Sequence, residues 1–296
     1  MNNFLLSMII CLNGTSPELK YYEKILREFS INFGYHLQID GNPFEYKKLE
    51  NILQICQKLN ITDIGVRTNE NVTEKNMKLI KKYNIRSIMY KEGNKHLKHN
   101  IALAQNYNIF TEISVVLSKN NIHDIDKIIK KCKENKINLL VLERSIISKY
   151  RNQETEPLGS EEYKYIMNKI IKHNQNQKKP GIALSHCPNK ILLHKDNKYD
   201  NNIGGCSAGI ISCAIDINGN IIPCLPLYKI ILGNIQENSL YEIWEKSEIC
   251  IKLRDRNNLK GKCGACVYKS LCGGCRAESF YLAGDLFNED KTCWKV

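Results

Sequence analysis

No apolar run in this 296-residue chain approaches the ~20 residues that a helix needs to cross a bilayer, so no membrane span is expected. The apolar stretch Phe4–Leu12 has no positive residue before it and no small-residue cleavage site after it, which argues against a secretion signal. It reads as a first buried strand, and a cytoplasmic chain is expected. A basic stripe is also missing. The formal charge is +12, but the lysines are dispersed among asparagines and isoleucines, the pattern of solvated helix faces, so nucleic acid is not the expected partner. Cysteine is scarce over the first 180 residues, where only Cys11, Cys56 and Cys132 occur. A compact disulfide scaffold would not begin with so long a cysteine-poor region.

What that region does contain is alternation. Short apolar runs near Phe4–Cys11, His36–Ile39, Asp63–Arg67, Ser87–Tyr90, Glu112–Leu117 and Leu139–Leu142 predict strands. Amphipathic segments at about 17–30, 45–59, 73–83, 95–107, 122–135 and 161–174 predict helices between and after them. Six βα units with no seventh or eighth imply an α/β fold with a parallel sheet, a partial (β/α)6 TIM-like barrel over residues 1–175. Ligands of such folds lie at the carboxyl ends of the strands, here the loops 12–15, 40–44, 68–71 and 118–121. Ser16-Pro17-Glu18 and Ser160-Glu161-Glu162 read as helix starts with a serine cap. Cys56 and Cys132 fall on the apolar faces of helices and are expected to be core thiols. Residues 176–204 read as a polar linker with one further short strand possible at its start, at Ile182–Leu184.

Residues 205–296 carry a different signal. Cys206, Cys213 and Cys224 precede Cys263-x2-Cys266-x5-Cys272-x2-Cys275, and Cys293 follows. Two cysteines separated by two residues can hold one metal centre from a single tight turn. Gly264, Gly273 and Gly274 supply backbone freedom among them. Ile215 to Ile222 reads as a hairpin with an Asn218-Gly219 turn that delivers Cys224. Spacing alone leaves three options open: iron–sulfur clusters, four-thiolate zinc sites, or disulfides.

This segment resembles the SPASM domain, the auxiliary-cluster module attached to many radical S-adenosylmethionine enzymes. The family pattern is a cysteine, 9–15 residues, G-x4-C, then C-x2-C-x5-C-x3-C and a last cysteine. Twelve residues separate Cys206 from Gly219, and Cys224 completes G-x4-C. Cys263, Cys266 and Cys272 match in full, and the next gap is two residues instead of three. Leu232-Gly233-Asn234-Ile235, Ser239-Leu240, Ile243-Trp244 and Leu253-Arg254 resemble the module's connecting hairpin and helix, with Trp244 in the core on either reading. The resemblance implies two 4Fe–4S clusters in a small α+β domain. One would use Cys206, Cys213, Cys224 and Cys275, with Cys213 the ligand that the seven-cysteine pattern does not demand. The other would use Cys263, Cys266, Cys272 and Cys293. Cys187 and Cys250 are left as buried or incidental thiols.

Radical S-adenosylmethionine enzymes carry C-x3-C-x2-C after the first strand, where three thiolates leave one iron open to the cofactor. Here only Leu12, Asn13, Gly14 and Thr15 lie between Cys11 and Ser16, and the next cysteine is Cys56. The catalytic cluster therefore has no ligand set. Gly41-Asn42-Pro43 resembles the G-E-P of the family's methionine-binding loop with asparagine in place of the acid, and Thr68-Asn69 resembles a T-N-G that has lost its glycine. The expectation is a degenerate member with a worn S-adenosylmethionine pocket at Gly41, Asn42 and Pro43. It would serve as an accessory, passing electrons or presenting a peptide to a complete radical enzyme. The alternatives are an enzyme still active on S-adenosylmethionine in peptide or protein modification, and a structural zinc or iron–sulfur remnant.

Overall fold

The computed structural model describes residues 4–32, 34–146, 155–176, 179–185 and 205–295. The chain order is β1 (Ser7–Leu12), α1 (Leu19–Ile31), β2 (His36–Gly41), α2 (Leu49–Lys58), β3 (Asp63–Thr68), α3 (Glu74–Lys82), β4 (Ser87–Lys91), α4 (Leu97–Asn106) and β5 (Phe110–Val116). There follow α5 (Ile125–Glu134), β6 (Leu139–Glu143), α6 (Ser160–Gln175), β7 (Gly181–Ser185), β8 (Ser212–Ile215), β9 (Asn220–Ile222) and β10 (Gly233–Asn234). Four short helices close the order: α7 (Leu240–Lys246), α8 (Glu248–Arg254), α9 (Gly261–Ala265) and α10 (Arg276–Ala283). Every predicted strand forms, and Gly181–Ser185 realises the extra one expected at Ile182–Leu184.

The chain divides into two compact units, one of residues 1–114 with 209–251, the other of 115–208 with 252–296. In the first, β1, β2, β3, β4 and β5 are neighbours in that order and run parallel. On the other side of β1, β8 pairs parallel with it, Ser7 opposite Ser212 and Met8 opposite Cys213. The β8–β9 hairpin and β10 then continue antiparallel. Met8, Ile10 and Leu12 of β1 are fully buried, as are Tyr22, Ile25, Leu26 and Phe29 on one stripe of α1. Each large apolar side chain so covered contributes roughly 1.5–3 kcal/mol. Cys56 lies at 0% exposure on α2, inside this core as expected.

The second unit contains the parallel pair β6–β7, in register from Leu139 opposite Gly181 to Glu143 opposite Ser185. Tyr163, Ile166, Met167 and Ile170 form the buried stripe of α6, and Cys132 is buried on α5. Among the described residues no helix is long and apolar enough to cross a membrane.

Both serine caps are displaced. Helix α1 begins at Leu19 with Glu18 before it, because Ser16 is engaged elsewhere: its Oγ accepts the Asn13 N–H at 2.9 Å. In α6 the cap position is Gly159, whose N–H donates to Glu162, so Ser160 is already helical while the acid keeps its part. Helix α2 starts at Leu49, since Pro43–Glu45 forms a separate 3-10 turn.

Three evenly placed asparagines, Asn60, Asn84 and Asn108, take φ of 57°, 50° and 53° at the ends of α2, α3 and α4. The isoleucine after each donates back to the helix, to Cys56, Ile80 and Ala104 carbonyls at 2.9–3.0 Å. Asparagine tolerates this left-handed stop, and alanine pays ~1 kcal/mol for it. Asn84→Ala is therefore expected to lower the thermal midpoint by about 2–4 °C, with Asn84→Gly at or above the parent. Equal midpoints for all three in a calorimetric scan would refute the cap assignment.

Candidate metal centre

Cys263 lies in α9, and Cys266 follows its end. The chain then turns, with Lys269 N–H donating to Cys266 O at 3.0 Å and Cys272 N–H to Tyr268 O at 2.8 Å. Cys272-Gly273-Gly274-Cys275 makes the next turn, and Cys275 is the residue before α10. Cys293 returns at the end of the chain, its N–H on Asp290 O at 3.1 Å. The result is that Cys263, Cys266, Cys272 and Cys293 line one cleft, with Tyr268 and Lys295 beside them. Three of the four sulfurs face backbone donors: Tyr268 N–H to Cys266 Sγ at 3.4 Å, Gly274 N–H to Cys272 Sγ at 3.4 Å and Asp290 N–H to Cys263 Sγ at 3.3 Å.

This donor set fits a thiolate-bound cluster. Donors aimed at sulfur stabilise thiolate over thiol and tune a cluster's potential. Burial pushes the Cys272 thiol up to about 12 and raises that of Cys293, and a bound metal would displace these protons. The described cysteines are all free thiols. Among the described residues no three His, Cys, Asp or Glu side chains crowd together tightly enough to share one metal ion.

The other assigned ligands are distributed over both units. Cys206 is half-buried in the second unit, with its N–H on Cys272 O at 2.9 Å. Cys275 is buried there too, and burial raises its thiol against the opposing pull of Arg144. Cys213 and Cys224 belong to the first unit. Cys213 is 1% exposed on β8, level with Met8, and burial first, then Cys250, raises its thiol. Cys224 follows β9 and is half-buried. Cys250 is fully buried on α8. Cys187 lies outside the described residues.

Sequence reasoning missed the arginines of this region. Arg144, just past β6, is 1% exposed and ion-pairs with Glu278 at 3.4 Å and Asp290 at 3.5 Å. It also donates to Thr292 Oγ1 and lies over the Tyr163 ring at 4.6 Å. Asp290 in turn accepts the Cys275 N–H at 2.9 Å. Nothing local in the sequence marks an arginine after a strand as the partner of acids some 140 residues away; only the pairing of buried charges does.

In the first unit the carboxyl ends of β1, β2 and β3 meet. Gly41 has φ +91°, and a Cβ there would lie 2.7 Å from Leu12 O. The Asn42 N–H donates to that same oxygen at 2.8 Å, while its side chain donates to Glu45 at 3.3 Å. Pro43, itself buried, opens the 3-10 turn. Asp40 ion-pairs with Arg67 across β2 and β3. Glu70 accepts the Phe44 N–H and the Thr68 hydroxyl, each at 3.0 Å, and burial raises its carboxyl. Cys11 is 1% exposed and stands level with Asp40. The loop after it closes on itself through Asn13, whose Oδ1 accepts the Thr15 N–H at 3.0 Å.

The family described as an iron-sulfur cluster-binding domain, SPASM, matches residues 206–267. An AdoMet-dependent heme synthase of Methanosarcina barkeri is 40% identical over 119 residues, 40% of this chain and 32% of that protein. A pre-heme d1 synthase of Dinoroseobacter shibae is 32% identical over 94 residues, 31% of this chain and 23% of that protein. The chain thus aligns with about a third or less of the length of these curated relatives. Among solved structures, Streptococcus suis SuiB bound to precursor peptide SuiA superposes with a TM-score of 0.73 at 19% identity, over 99% of this chain and 76% of that one. Native anSMEcpe with bound AdoMet and the Cp18Cys peptide gives 0.62 at 16% identity, over 92% and 89%. These likenesses carry the fold: a mostly parallel α/β sheet of the partial TIM-like kind, with a small additional domain.

Proposed function

We propose that the chain is an accessory member of the radical S-adenosylmethionine/SPASM family, holding 4Fe–4S clusters on its C-terminal cysteines. The observation that carries this reading is the cleft shared by Cys263, Cys266, Cys272 and Cys293, with backbone N–H groups on three of its sulfurs. Those four hold one cluster. Cys206, Cys213, Cys224 and Cys275 hold the second, on the strength of the family spacing. When bound, such clusters supply one-electron transfer at low potential. The protein's part is to fix the thiolates, direct N–H groups at them and limit water.

The role in peptide or protein modification rests on SuiB bound to its precursor peptide and anSMEcpe bound to its peptide, proteins that share this fold. The worn loop at Gly41, Asn42 and Pro43 and the missing cysteines after β1 favour service beside a complete enzyme over independent catalysis. Anaerobically reconstituted protein is expected to carry about eight iron and eight sulfide per chain, with broad absorbance near ~400 nm. Cys263→Ala should remove about half of the iron. Stoichiometric zinc without sulfide would overturn the reading.

A further inference from the structure

The turn Cys272-Gly273-Gly274-Cys275 carries two guanidinium groups. A Cβ at Gly273 would fall 2.3 Å from Arg256 Cζ. At Gly274 it would fall 2.7 Å from Arg276 Nη2 and 2.9 Å from Cys263 Sγ. Both glycines have positive φ, +69° and +62°, which already disfavours a side chain. Here a side chain would also evict an arginine. The two glycines leave room for cations as well as bending the chain.

Among the described residues neither cation makes an ion pair with a carboxylate, although Asp285 lies close enough to Arg276 to feel its charge. Arg276 is fully buried, and its donors go to the Leu286 and Asn288 carbonyls at 3.0 and 2.8 Å, to Gly274 O at 3.5 Å and to Cys263 Sγ at 3.8 Å. Arg256 donates through Nη2 to Cys206 O at 2.9 Å, and its buried Nη1 meets no acceptor among the described residues. The contrast within the same unit is Arg144, which is given both Asp290 and Glu278. An uncompensated buried cation is costly, and its counter-charge must come from somewhere. Arg276 faces the Cys263 sulfur at 3.8 Å, and Arg256, held on Cys206 O, packs against Gly273 next to Cys272.

We propose that Arg256 and Arg276 are the counter-cations of the cluster held by Cys263, Cys266, Cys272 and Cys293, and that they set how readily it takes up an electron. This rests on the iron–sulfur reading of that cleft. Four thiolates on an oxidised cubane bring roughly two negative charges, and one-electron reduction adds a third. Positive charge beside the cluster favours the reduced form more than the oxidised one. Removing it lowers the reduction potential.

The test compares the reconstituted full chain with Arg256→Gln, which keeps a donor for Cys206 O and loses the charge, and Arg256→Lys, which keeps the charge. Redox titration monitored by electron paramagnetic resonance is run beside iron and sulfide analysis. Arg256→Gln is expected to shift one couple so that its reduced-to-oxidised ratio at fixed potential falls about tenfold, equivalent to ~59 mV for one electron. Arg256→Lys is expected to stay within a third of that shift. Iron lost from the glutamine variant but kept by the lysine variant would equally support a counter-charge. Unchanged couples in both variants with full iron would overturn the proposal and leave the cleft's assignment standing. Iron lost from both would overturn it too, since Arg256 would then be a structural residue. A parent chain that takes up no iron and sulfide would instead refute the cluster reading itself.

Discussion

Arg144→Met is expected to destabilise the chain by about 3–5 kcal/mol, the effect of breaking a buried ion pair by removing one partner. Arg144 is wholly enclosed, and its cationic side chain serves Asp290 and Glu278, which are 0% and 2% exposed. Methionine fills much of the volume but leaves both acids without that cation in a medium where charge is poorly solvated. Asp290 also fixes the Cys275 N–H, and its own N–H donates to Cys263 Sγ, so the loss spreads into the cysteine turns. Urea unfolding followed by far-ultraviolet circular dichroism measures the effect as a drop in midpoint. The double variant Arg144→Met with Glu278→Gln is expected to recover part of it, because one of the stranded charges is gone. A single variant that unfolds at the parent midpoint would show that these acids do not depend on Arg144.

Period and spacing made most of this architecture legible. The β-strands read as short apolar runs, and their predicted starts at His36, Asp63, Ser87 and Leu139 are the observed ones. Such runs are fixed by burial under amphipathic helices, a constraint written locally. Cap chemistry was less legible: Ser16 has the right identity for a cap, yet Asn13 offers its hydroxyl a closer partner. The pairing of β8 with β1 was invisible, since parallel pairing over some two hundred intervening residues leaves no local mark. At the candidate site, the spacing of Cys263, Cys266 and Cys272 pointed to one centre, and the cleft brings Cys293 to them. The cations were not legible. Arg256 and Arg276 look like any surface arginine until Gly273 and Gly274 are seen to make room for them.

The chain alone, with strong reductant and S-adenosylmethionine, is expected to form no 5′-deoxyadenosine. Reductive cleavage in the family resembled here needs an iron held by three thiolates, so that the cofactor can occupy its fourth position. Cys11 supplies one thiol near the end of β1, and it is 1% exposed, while the loop that follows is closed through Asn13 and Ser16. No second cysteine follows before Cys56, and Cys56 and Cys132 are buried on helices at 0% and 4% exposure. Asn42 replaces the acid of the loop that Gly41-Asn42-Pro43 resembles, and its side chain is turned to Glu45. Apart from Cys187 and Cys250, the remaining thiols are the eight assigned to two fully ligated clusters, which would present no open iron. The measurement is chromatographic, on reconstituted protein of known iron content, with Cys213→Ala assayed alongside and a complete radical enzyme as positive control. Multiple-turnover product from the unmodified chain would sink the accessory reading. Product from Cys213→Ala alone would show that removing one thiolate opens an iron, and would identify Cys213 as the ligand that keeps it closed.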